Sequence, residues 1–190
     1  MKIKVLVAAL ALFATLGAAV PASATDDPAR FSFGGGQYDQ TAINPGFLFL
    51  KVSRGDSHKP AADFRTEYRF GTSLISAIEP YAKMKPWVGA EVTSDGAVYG
   101  AGGILFDIPV GPIVFTPSFG PGLYSPGAGK KLGSPIEFRT MLEVGYEFEN
   151  QSRFSLGYSH ISNANITTLN PGSNILSVYY HVPASWILGN

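Results

Sequence analysis

His160 and Ser162 are the residues of this chain best suited to chemistry. They lie within Tyr158-Ser-His-Ile-Ser-Asn-Ala-Asn165 and are followed by Asn170-Pro-Gly-Ser-Asn174. An imidazole can take the proton of a hydroxyl, and the hydroxyl oxygen can then attack an acyl ester. On a β-strand, residues two apart project from the same face. Phe154, Leu156 and Tyr158 share that face, while Arg153, Ser155, Gly157 and Ser159 take the other. In a soluble protein the apolar face would be core. In a membrane barrel it meets lipid. There, the pair would be a hydrolytic site presented to an amphiphile.

The elements that would position the pair read as strands. From Ile136 to Phe148 the even residues are Ile, Phe, Thr, Leu, Val, Tyr and Phe, and the odd ones are mostly charged. Phe64, Thr66, Tyr68 and Phe70 alternate with Asp63, Arg65, Glu67 and Arg69, and Leu176, Val178, Tyr180 and Val182 share one further face. One greasy and one charged face suits a half-exposed sheet, or a barrel with lipid outside and a polar lumen. In a narrow lumen Arg65, Glu67, Arg139 and Glu143 could pair with one another. Strands are expected at 45–53, 62–70, 84–92, 97–107, 112–124, 136–148, 152–162 and 174–183, with 31–38 as a ninth candidate. Because bacterial single-chain barrels have an even strand number, residues 31–53 are assigned one spanning strand at an unresolved position. The fold class expected is all-β: a small antiparallel transmembrane β-barrel of eight strands, too narrow for a pore. Turns are expected at Thr93–Gly96, Pro109–Pro112 and Glu149–Gln151, and a longer loop at Tyr124–Pro135. Pro86 and Pro117 fall inside strands, where each lacks a ladder donor.

Composition narrows the setting. Lys2 and Lys4 precede the apolar run Val5–Val20, and Ala22-Ser-Ala24 closes it, so residues 1–24 read as a removable signal peptide and 25–190 as one barrel domain. Removal takes Lys+Arg from 14 to 12 against 14 acids, leaving a net charge of −2. That balance argues against a nucleic-acid partner. The chain has no cysteine, which excludes disulfides, thiol nucleophiles and cysteine metal sites. Its three histidines lack zinc spacing, so neither metal nor cofactor is expected. His58 reads as solvated and His181 as a lumen residue. Gly100–Gly103 lacks the lysine and helix of a phosphate loop. Trp87, Trp186 and the nine tyrosines suit interfacial aromatic girdles.

Barrels of this kind have short periplasmic turns and long outer loops. If the last strand ends in the periplasm, the one before it runs outward. His160 and Ser162 then reach the outer leaflet. At this point the residues resemble the outer-membrane lipid A 3-O-deacylases of the PagL type. The resemblance is carried by His160-x-Ser-Asn-Ala164 and Asn170-Pro-Gly172, and extended by Ser134–Arg139, Glu143–Phe148, Thr93–Gly100, Pro117–Phe119 and Pro121–Tyr124. It covers most of 62–183. It implies an eight-stranded Gram-negative outer-membrane barrel with a Ser-His-Glu triad on its lipid face, releasing a 3-hydroxyacyl chain from lipid A without a metal. By that resemblance Ser162 is the nucleophile and His160 the general base. Asn163 and Asn170 match polar positions around the site, with Asn170 assigned to oxyanion stabilisation. The partners implied are lipid A or lipopolysaccharide and the outer-membrane assembly machinery, with homodimerisation left open.

One position departs from the family pattern. The acidic member is replaced by Asn174, whose parity matches Leu176 and Val178 and which could meet His160 across the hairpin. An amide can orient an imidazole but supplies no charge to an imidazolium, so slow hydrolysis, or lipid binding without hydrolysis, is expected. The tail Trp186–Asn190 also departs, because such barrels commonly end on an aromatic at the last strand. Two rival functions are an inert lipid-binding barrel and a soluble periplasmic β-barrel lipid carrier.

Overall fold

The computed structural model describes residues 27–38 and 61–189. Eight antiparallel strands close on themselves in chain order, β8 pairing with β1. They are β1 (Arg30–Tyr38), β2 (Ala61–Arg69), β3 (Lys83–Thr93), β4 (Val98–Val110), β5 (Ile113–Ser125), β6 (Ile136–Glu147), β7 (Arg153–Ser162) and β8 (Ser173–Pro183), followed by a short helix α1 (Ser185–Leu188). The first strand occupies the 31–38 candidate. The 45–53 candidate, the leader expected at 1–24 and His58 lie outside the described residues. Pro86 sits within β3 and Pro117, with Pro121, within β5, and each proline leaves its strand without one backbone donor. One rim, the terminal end, carries the start of β1, the end of β8 and the turns at 111–112 and 148–152. The 70–82 connection also lies there, a long segment on the side where short turns are expected. The other rim carries 94–97, 126–135 and 163–172.

Parity governs which side chains face in. Along β7, Arg153, Ser155, Gly157, Ser159 and Ile161 are buried, while Phe154 and Leu156 are exposed. The exposed belt continues around the cylinder through Phe33, Phe64, Phe115, Leu142, Val144 and Val178. A belt of this extent has no place on a water-soluble surface and is the lipid-facing band of a membrane barrel. The soluble-carrier reading is thereby overturned, and the lumen confirms the point because side chains fill it. Near the terminal end the filling is ionic. Arg139 Nη2 donates to Glu67 Oε1 (2.6 Å) and Arg69 Nη2 to Glu143 Oε2 (2.7 Å). Arg153 Nη1 donates to Asp107 Oδ1 (2.9 Å), and Lys85 Nζ lies 2.5 Å from Asp107 Oδ2. Burying these charges is tolerable only because each meets an opposite one. Towards the loop rim an apolar and aromatic cluster of Tyr38, Tyr99, Leu105, Tyr124, Leu132, Ile161 and Ile175 joins the filling, beside the buried ion pairs of Arg65 with Asp63 and Glu91. Trp87 is a correction to the girdle expectation. It is buried in the lumen under the Arg139 guanidinium, 4.0 Å from ring centroid to Cζ, in phase with inward Lys85 and Glu91.

Candidate active site

The lumen core positions the site from behind. Ile161 lies between His160 and Ser162 and points inward, and Ile175 does the same beside Asn174; both are 0% exposed. With these two side chains locked in the apolar cluster, the intervening residues of β7 and β8 must face outward. His160 and Ser162 are accordingly half-buried on the outer face near the loop rim. In the β7–β8 ladder His160 stands opposite Asn174, and in the β6–β7 ladder it stands opposite Thr140. Three polar residues thus form a row across three adjacent strands in an otherwise greasy belt. Thr140, an exposed residue on the even face of β6, was not singled out from the sequence, because its neighbourhood depends on a register that parity alone does not reveal.

His160 Nδ1 lies 2.8 Å from Asn174 Oδ1. An amide oxygen only accepts, so Nδ1 is the protonated nitrogen and Nε2 of the neutral ring keeps its lone pair. Among the described residues no hydrogen bond joins Ser162 to His160. Their Cα atoms are roughly 6.6 Å apart at two strand rises, and rotation of the serine and imidazole can close the gap. Phe138 is opposite Ser162 in register and stacks on Phe119 at 6.0 Å and 10°, forming an apolar wall beside the hydroxyl.

The two asparagines beyond the strand do different things. Asn163 is 0% exposed and has lumen parity. Its Nδ2 donates to the carbonyls of Leu132 (3.0 Å) and Leu169 (2.8 Å) and to Thr167 Oγ1 (2.9 Å), tying the 126–135 and 163–172 loops together. Asn170 is half-buried in the loop. Its Oδ1 accepts from the Asn163 backbone N–H (3.1 Å), and its Nδ2 donates to Asn165 Oδ1 (3.0 Å). That leaves one amide hydrogen of Asn170 uncommitted. Asn163 therefore shapes the loop that holds Asn170 and does not face the reacting side of Ser162.

A Ser-His-Glu constellation also lies in the lumen. His181 Nε2 is 2.6 Å from Ser155 Oγ and 3.1 Å from Glu143 Oε1, and its Nδ1 is 2.7 Å from Ser32 Oγ. Its geometry resembles a triad, but His181 and Glu143 are both fully buried, so no ester can reach it. Its role is to satisfy charge and hydrogen bonding within the filling.

The comparisons with known proteins bear on the whole barrel. The family model for lipid A 3-O-deacylase (PagL) matches residues 64–183. The chain belongs to the PagL family. The fold agrees. The crystal structure of the outer membrane enzyme PagL superposes with a TM-score of 0.59 at 17% identity, covering 82% of this chain and 99% of that one. A structure from the de novo design of transmembrane β-barrels superposes at 0.50 with 10% identity, covering 84% and 100%. No curated protein matches the chain in sequence. As a PagL-family barrel, it is a protein of the Gram-negative outer membrane.

Proposed function

We propose that this protein is a lipid A 3-O-deacylase working through Ser162 and His160 at the outer leaflet. Membership of the PagL family supports the substrate class. The observation that carries the mechanism is the His160 Nδ1–Asn174 Oδ1 contact of 2.8 Å on the lipid face, which leaves Nε2 as the nitrogen free to act as base towards Ser162. In the first half-reaction Ser162 Oγ bonds to the acyl carbonyl carbon as its proton passes to Nε2. The C–O bond to the sugar then breaks, and the departing oxygen takes that proton. Water repeats the sequence on the acyl-serine, freeing the fatty acid and restoring the hydroxyl. The uncommitted amide hydrogen of Asn170 is the candidate donor to the oxyanion.

Asn174 sets the rate. It orients the ring as a carboxylate would, but it does not stabilise the imidazolium that forms during attack, so turnover is slow beside an acidic homologue. The same residue favours the second reading, a barrel that binds lipid A and leaves it intact. Fatty-acid release from lipid A by the purified, detergent-folded protein separates the two. The hydrolase reading expects release by wild type. It expects none from Ser162→Ala or His160→Ala, the two single losses being similar because the residues act as one unit. Equal release by folded Ser162→Ala removes that residue from the mechanism.

A further inference from the structure

We propose that Gly172 is a positioning residue for the His160 imidazole, acting on the edge that Asn174 does not hold. The inference rests on the hydrolase reading for its kinetic consequence, and on geometry alone for the contact. A Cβ on Gly172 would stand 2.8 Å from His160 Cε1 and 3.2 Å from His160 Nε2, with the Ile161 carbonyl oxygen at 3.3 Å. The two closest atoms belong to one imidazole edge, the one bearing the basic nitrogen. His160 pairs with Asn174 and the ladder ends at Ile161 with Ser173, so Gly172 is the residue immediately before β8, just past the last rung. The ring therefore extends from the rung of Asn174 past the end of the ladder towards Gly172. The missing side chain at 172 leaves it the space to do so. A methyl group there would push the ring, the most movable neighbour, and turn Nε2 away from the nucleophile.

Gly172 also has φ +61°, a conformation glycine adopts freely, so a second explanation of the residue is backbone freedom alone. The two explanations part on asparagine, which tolerates positive φ but carries a Cβ. The positioning role predicts that Gly172→Ala and Gly172→Asn both lower kcat at least tenfold while KM stays within twofold, in barrels that still migrate as folded species. Backbone freedom alone predicts that Asn restores kcat, and that result overturns the proposal. A measurement independent of activity is the Cε1–H resonance of His160 in histidine-labelled protein in micelles, assigned with His160→Ala. It should shift in both Gly172 variants, while that of His181, enclosed by Ser32, Ser155 and Glu143, stays in place. An unmoved His160 resonance rejects the contact even if the protein proves to be no hydrolase; absent wild-type hydrolysis with a moved resonance rejects only the kinetic role and the hydrolase reading. Should Gly172→Ala fold poorly, His160→Ala in the same chain should recover thermal stability by removing the crowded ring. Additive effects of the two substitutions would count against the proposal.

Discussion

At the scale of single residues, the site depends on which groups hold the imidazole. Asn174 accepts from Nδ1, so replacement by a carboxylate keeps the hydrogen bond and adds charge where the imidazolium develops. Asn174→Glu is expected to raise deacylation clearly above wild type, and Asn174→Ala to lower it. An acid on the lipid face is costly at mid-bilayer but much less so near the interface, and the loop rim is where residue 174 lies, so the Glu variant should still fold. Equal rates in wild type, Glu and Ala would show that position 174 does not orient the base. That Asn174 could meet His160 was legible from the family resemblance together with parity. The place of Asn163 near the site was legible only through the family resemblance. Its bonds to Leu132, Thr167 and Leu169 were not, because they join loops whose approach no local pattern encodes. Gly172 was visible only as part of a motif, since its contact with the His160 ring exists only in three dimensions.

The elements repeat that division. Strands with strict alternation were readable to within about a residue, as in 136–148 against Ile136–Glu147 and 152–162 against Arg153–Ser162. The first strand was not, because Gly34-Gly-Gly36 erases the period that would reveal it. A Cβ on Gly34 would lie 2.5 Å from the Tyr179 ring, so bulk inside the barrel forbids the side chain that would have marked the face. At β7 and β8 the inward isoleucines make the outward site possible. Ile161→Ala removes a fully buried side chain from the apolar cluster directly behind His160 and Ser162, and is expected to destabilise the barrel by about 2–5 kcal/mol. Urea unfolding in micelles should show the lowered midpoint, and activity should fall with it as the strand loses its anchor. An unchanged midpoint would mean that lipid contacts, and not the lumen cluster, hold this end of β7.

At the scale of the molecule, the barrel is a cylinder with its usual solvent relations reversed: charges inside, apolar surface outside. The composition allowed this reading but did not require it, because a half-exposed soluble sheet alternates in the same way. Only closure distinguishes the two, since it places Arg139 against Glu67 and Arg69 against Glu143 across strands far apart in sequence. Glu67→Ala would leave two buried guanidiniums short of a partner, at a cost of about 3–5 kcal/mol. The variant should lose its fast-migrating unheated form at a lower temperature than wild type; an unchanged transition would show that lumen water compensates the charges. The central claim, however, is that this outer-membrane barrel removes the 3-O-linked acyl chain of lipid A through Ser162. Mass spectrometry of lipid A from cells expressing wild type or Ser162→Ala at equal outer-membrane levels tests it directly. A species lighter by one acyl chain should accompany wild type and be absent with Ser162→Ala. Identical lipid A in both strains would contradict the account.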